Sequence, residues 1–202
     1  MLPICTLERL CKIFQVLERY ELDHIQAVSS RDLEKCIHAT SVTIRKDISA
    51  IGRVGVTKRG YDVIELKKHI GEHLKLFRKR RACLVGLGRI GGALLEYQTL
   101  QDDGFEIIAG FDNNVNKVER MRTDIRVYPV HELLDIVKSH RIELGIIAVP
   151  GEAAQKVADQ LNKAGIKGIL NFSPVGIALP DRVIVENIDF TTALRILAAK
   201  MG

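Results

Sequence analysis

A chain of 202 residues is long enough for one or two domains, each with a core of its own. Its 30 Lys/Arg against 25 Asp/Glu leave a formal net charge of +5. No run of eighteen apolar residues occurs and no signal-peptide pattern opens the chain, so a membrane span is not expected and a cytoplasmic protein is. The cysteines Cys5, Cys11, Cys36 and Cys83 stand at irregular spacings with no C-x-x-C, which argues against a disulfide framework or a zinc site.

The charge is uneven. Residues 1–81 hold seventeen Lys/Arg and ten Asp/Glu, a net +7, whereas residues 82–202 are net −2. Two domains with different partners are predicted, 1–80 and 81–202.

In chain order, Leu7, Leu10, Ile13, Phe14 and Leu17 follow helical spacing, with Thr6 as the predicted N-cap. "SSRDLEKCIHATSVTIRKDISAIG" (29–52) reads as two short helices. Ser29 or Ser30 caps the first, "His38-Ala39" turns the chain, and Thr40 caps the second. Ile44, Ile48 and Ile51 share one face of that second helix, and Ser41, Arg45, Lys46 and Ser49 fall mainly on others. Such a pair is a helix-turn-helix, whose second helix enters the major groove with its N-terminal half leading. Ser41, Thr43, Arg45 and Lys46 are therefore candidate DNA contacts.

"GRVGVTKRGYDVIEL" (52–66) then predicts short strands around a basic tip, the wing of a winged helix, where Lys58 and Arg59 would meet phosphate or the minor groove. A small helical domain with an ordinary solvated hairpin would show the same pattern. Leu66, Ile70, Leu74 and Phe77 predict a third helix, and "Arg78-Lys79-Arg80-Arg81" a linker or a second phosphate contact.

The second part begins with "ACLVGLGRIGGALLEY" (82–97). Four apolar residues predict a buried strand, Gly91 to Tyr97 the start of a helix reaching about Leu100, and Gly86-x-Gly88-x-x-Gly91 a turn tight enough to approach a pyrophosphate. The loop candidates are Gly86, Leu87, Gly88, Arg89, Ile90 and Gly91. A second strand, "GFEIIAGFD" (104–112), ends in Asp112, twenty-one residues after Gly91. An acid there accepts hydrogen bonds from ribose hydroxyls and opposes a 2′-phosphate, which favours NAD(H) over NADP(H). A helix at 131–139, "ELGIIAVP" (143–150) with a helix from Glu152, and "KGILNFSP" (167–174) continue the alternation. The fold class is α/β, a doubly wound parallel sheet of Rossmann type behind the winged helix. Val149, Pro150, Asn171, Phe172 and Ser173, at strand ends, would line the nicotinamide end, and each suits a purely structural role equally well.

Hydride transfer needs a positioned acid or base, and segments 148–151 and 171–175 contain no His, Lys or Cys. Tyr97 has no Lys four residues on, and a DNA-binding domain leaves no length for a substrate domain. These observations argue for a sensor rather than an enzyme. The alternative is a small NAD-dependent oxidoreductase, or a CoA-binding module, with a basic N-terminal domain.

"IRKDIS", "GYDV", "VGLGRIG", "GFEIIAGFD", "IIAVP", "AAQKVAD", "AGIKGILNF" and "VENIDF" run nearly the length of the chain. Through them the whole chain resembles the Rex family of bacterial redox-sensing transcriptional repressors. The resemblance implies a homodimer that binds palindromic double-stranded operator DNA when NAD+ prevails and releases it when NADH closes the dimer. It implies Arg45 and Lys46 as the main DNA contacts, Gly86 to Gly91 as the pyrophosphate loop and Asp112 on the ribose. Tyr97 and Asp189 would join a nucleotide-responsive network, and the helix from Phe190, with Leu194, Ile196, Leu197 and Met201, would pack on the partner subunit. Three features depart from the family. Ile51 and Val54 replace aromatic residues and Thr57-Lys58 an Arg-Gly pair. Gln15 stands where an Arg meets the acid corresponding to Asp189. The tail is short and Ala-rich.

Overall fold

The computed structural model describes residues 2–57, 59–114 and 123–202, and the chain forms two compact units, Met1–Arg78 and Lys79–Gly202. In the first, α1 (Ile4–Leu22), α2 (Ser30–Ile37), α3 (Ser41–Ala50) and α4 (Val63–Leu74) surround one core. β1 (Ala27–Val28), β2 (Val56–Thr57) and β3 (Gly60–Asp62) form a three-stranded antiparallel sheet in the order β1-β3-β2. The apolar stripes supply the core: Leu10, Ile13 and Leu17 from α1, Leu33 and Ile37 from α2, Ile44 and Ile48 from α3, and Val63, Leu66 and Ile70 from α4.

Local chemistry bounds α2 and α3 where the sequence predicts. Ser29 and Asp32 form a reciprocal capping box, and Thr40 Oγ1 accepts from the Thr43 N–H at 3.2 Å. His38 takes the left-handed conformation that turns α2 into α3.

Three expectations need correcting. Thr6 is not the cap of α1, which starts two residues earlier behind Pro3; its hydroxyl is buried and donates to Asp47 instead. The helix predicted from Leu66 through Phe77, α4, stops at Leu74, with Lys75 left-handed, and Phe77 folds back edge-on to Phe14, 5.9 Å between centroids. Arg80 and Arg81 are not linker, because parallel pairing with the next strand begins at these two residues.

In the second unit β4 (Arg80–Val85), β5 (Phe105–Asp112), β6 (Val127–Pro129), β7 (Leu144–Ile147), β8 (Gly168–Asn171) and β9 (Ile184–Asn187) form a parallel sheet in the order β6-β5-β4-β7-β8-β9. Counted within the unit this is 3-2-1-4-5-6, two mononucleotide-binding halves whose order reverses between β4 and β7. Helices cover both faces: α5 (Arg89–Leu95), α6 (Gln98–Asp102), α7 (Leu133–Ser139) after a 3-10 turn and α8 (Gly151–Ala164), while the last helix, α9 (Phe190–Met201), buries none of its residues. Cys83 and Val85 face a core shared with Leu133, Val157 and Leu161, whereas Ala82 and Leu84 face one shared with Leu87, Leu95 and Ile107. Burial on both faces is why β4 reads as an unbroken apolar run. Burial also pushes the Cys83 thiol up to about 12, leaving it an inert packing group.

The helix expected to reach Leu100 is broken at Glu96 and Tyr97 into α5 and α6. β6 is too short, and β9 too exposed, for periodicity to reveal.

Candidate functional site

The ladder continues one step past the strands, with Gly86 N–H on Phe111 O, Ala148 N–H on Val85 O, Phe172 N–H on Ile147 O and Ile188 N–H on Asn171 O, each at 2.8 Å. The carboxyl ends of β5, β4, β7, β8 and β9 thus deliver Asp112, Gly86, Val149, Phe172 and Asp189 to one edge of the sheet. Ligands of doubly wound folds bind at that edge, at the reversal of strand order.

The glycines of the loop divide the work. Gly86 has φ +94°, and a Cβ there would lie 2.6 Å from Ala148 O, so β4 and β7 close together only over glycine. A Cβ on Gly91 would lie 1.9 Å from Gly86 O, so the first turn of α5 packs directly on the loop. At Gly88 a Cβ would meet nothing within 4 Å. Gly88, Arg89 and Ile90 are exposed, and Leu87 is buried beneath them. This is an open cradle of bare backbone at the place where a pyrophosphate is held in such folds, and the residues fit a dinucleotide.

Asp112 is 8% exposed, and its carboxylate accepts from the Leu87 N–H at 2.9 Å and the Asn114 N–H at 2.8 Å. An ionised carboxylate only accepts, which is the chemistry that a ribose diol calls for. Arg120 and Arg122, which lie beyond it, fall outside the described residues.

Other predicted residues take different roles. Asn171 is wholly buried. Its amide donates to Val175 O and Asn187 Oδ1, both at 2.8 Å, and its carbonyl accepts from the backbone and hydroxyl of Ser173. It shapes the loop and presents no free group. Pro150 starts α8, half-buried Val149 packs against Gly86, and half-buried Phe172 lies 6.2 Å from the Phe190 ring. Tyr97 is exposed at the break between α5 and α6. Asp189 caps α9: Oδ1 accepts from Thr191 N–H and Thr192 N–H, and Oδ2 from the Thr192 hydroxyl at 2.6 Å. These bonds hold its carboxyl below the usual carboxylate range.

In the first unit Arg45 and Lys46 are exposed on α3, with Val42, while Ser41 and Thr43 are half-buried in its first turn. Arg59 is exposed in the β2–β3 turn. Lys58, the other predicted wing contact, lies outside the described residues.

Sequence reasoning missed Asp47. It is 4% exposed on the inner face of α3, accepting Arg9 Nε at 2.6 Å, Arg9 Nη2 at 2.9 Å and the Thr6 hydroxyl at 2.9 Å. Burial pushes its carboxyl up, but these hydrogen bonds and the Arg9 charge outweigh burial and hold it below the usual range. The signal was present: Ile44, Asp47, Ile48 and Ile51 follow helical spacing, so the acid sits at an apolar position of the stripe.

The putative DNA-binding protein N-terminus family matches residues 1–49, and the CoA binding domain family matches residues 77–175. The redox-sensing transcriptional repressor Rex of Desulforamulus reducens is 37% identical over 100% of this chain and 96% of its own. The redox-sensing transcriptional repressor Rex 1 of Thermotoga maritima is 41% identical over 94% of this chain and 91% of its own. Among solved structures, RSP in complex with β-NAD+ and operator DNA superposes with a TM-score of 0.92 at 29% identity, covering 100% of this chain and 93% of that one. RSP in complex with β-NADH gives 0.91 at the same identity, covering 100% and 94%.

Proposed function

This chain belongs to the Rex family of redox-sensing transcriptional repressors, and on that premise we propose that it is a repressor binding operator DNA according to the NADH/NAD+ ratio. It is a regulator and not an enzyme. The observation that carries the reading is the pairing, in one chain, of a basic recognition helix with a dinucleotide cradle at the reversal of a 3-2-1-4-5-6 sheet.

Arg45 and Lys46 read or neutralise DNA from the exposed side of α3, Ser41 and Thr43 contact it from the first turn, and Arg59 and Lys58 meet phosphate at the wing. NAD(H) lies with its pyrophosphate over Gly88 and its adenosine ribose on Asp112. Val149, Pro150 and Phe172 line the nicotinamide end, positioned by Asn171. Tyr97 and Asp189 respond to the nucleotide state, and NADH releases the DNA. The protein works as a homodimer on a palindromic operator. α9 supports this, since Phe190, Leu194, Ile196, Leu197 and Met201 are all more than half exposed and offer an apolar face to a second copy. Among the described residues no helix is long and apolar enough to cross a membrane, which accords with a cytoplasmic regulator.

The match of residues 77–175 to the CoA binding domain family gives a second reading, CoA in the same cradle. Asp112 weighs against it, because the adenosine of CoA carries a phosphate where NAD(H) has a free ribose hydroxyl. One titration separates the two: labelled duplex, selected from a random pool of palindromes, is bound with NAD+, NADH or CoA added. Release by NADH alone is expected. Release by CoA and not NADH overturns the redox reading.

A further inference from the structure

Apolar packing is non-directional, and the stripe Ile44, Ile48 and Ile51 alone would let a ten-residue helix roll or slide on its core. Among the described residues the Ser41 N–H holds the start of α3 to the Glu34 carboxylate at 3.2 Å, and a stronger directional contact grips its buried centre. Arg9 of α1 reaches Asp47 with a two-point fork, Nε on Oδ2 and Nη2 on Oδ1, and Thr6 adds a third donor. Both α1 residues lie on one helical turn, and Arg9 Nη2 also approaches Thr6 Oγ1 at 3.4 Å.

Successive residues of a helix are 100° apart, so pinning Asp47 inward turns Arg45, two positions back, about 160° away, toward the outside. Lys46 follows on the flank. A rotation of α3 by a fraction of a turn would carry Arg45 off a base edge while leaving it and Lys46 near phosphate. Stability alone does not account for the pair, since well-packed apolar residues replace buried ion pairs at little or no loss. Directional register is what a charged fork adds.

We propose that Arg9 is a positioning residue for sequence reading, which with Thr6 grips Asp47 and sets the angle at which α3 presents Arg45 and Lys46. The inference rests on the DNA-reading role of α3 proposed above.

The test uses the full chain, a palindromic duplex selected by the wild type from a random pool, and a scrambled duplex of equal length. Arg9→Lys keeps the charge and loses the fork. It is expected to lower the selected-over-scrambled affinity ratio by about ten-fold, the effect of a mismatched base contact, with affinity for scrambled duplex nearly unchanged. Asp47→Asn and Arg9→Gln are expected to lower the ratio at least as far, measured below each variant's melting temperature. A wild-type ratio in folded Arg9→Lys and Asp47→Asn proteins overturns the proposal. So does an equal loss on both duplexes, which marks general weakening rather than mis-aimed reading. A wild type that does not distinguish the two duplexes overturns the DNA-reading role itself.

Discussion

The Leu87 N–H donates to Asp112 Oδ2 at 2.9 Å, tying the glycine loop after β4 to the carboxyl end of β5. One carboxylate therefore fixes the loop to the strand end, and on the reading proposed above the same carboxylate takes the ribose. Replacing Asp112 with Ala removes a charged acceptor, a loss of roughly 1.5–3 kcal/mol or about ten- to a hundred-fold in NADH affinity. NADPH, repelled by the wild-type acid, should lose less, so the gap between the two narrows. Calorimetry checks this, and equal wild-type affinities for NADH and NADPH would contradict it.

The three loop glycines should separate folding from binding. Gly91→Ala places a methyl 1.9 Å from Gly86 O, backbone against backbone, and is expected to lower the melting temperature. Gly88→Ala meets open space and should melt as the wild type does, while the methyl stands in the pyrophosphate cradle and weakens NADH binding by ten-fold or more, about 1.4 kcal/mol. Thermal melts with and without NADH read both. A Gly88→Ala protein with wild-type NADH affinity places the nucleotide elsewhere.

Most of this arrangement is legible in the sequence because its determinants are local. Strand β4 shows as an apolar run, Ser29 and Thr40 as caps, the glycine loop and Asp112 as a spacing. What escapes is decided by long-range contact. Thr6 has the chemistry of a cap and is taken instead by Asp47, forty-one residues away. Asn171 looks like a ligand group until Val175, Asn187 and Ser173 are seen to use its amide. β9 alternates poorly because most of it is exposed, yet it places Asp189 at the site edge.

Arg45 and Lys46 lie outside the core of their unit, so their removal should cost DNA binding and little else. Arg45→Ala is expected to lose about 1–3 kcal/mol and to relax preference at one base position if the fork reads guanine. Lys46→Ala should weaken all sequences alike and lower the salt slope by about one. NADH affinity should stay at the wild-type value in both. Undiminished operator binding in the two variants would remove α3 from the interface.

Asp47 should leave a mark on acid stability. Its folded carboxyl sits below its ordinary value of 3.8, so its contribution is fully present above that pH and is lost as pH falls through the folded value. Asp32, held down by its hydrogen bonds to Ser29, and Asp189 titrate in the same direction, so the wild-type curve alone does not isolate Asp47. The difference between wild type and Asp47→Asn does. It is expected to be largest near neutrality, about 3 kcal/mol at the low end for breaking a buried pair because Arg9 is a quarter exposed, and to shrink below pH 4. Denaturant melts across pH 3–7 measure it; a difference that stays constant to pH 3 would show that folding does not lower the Asp47 carboxyl, and one that grows toward pH 3 would show that folding raises it.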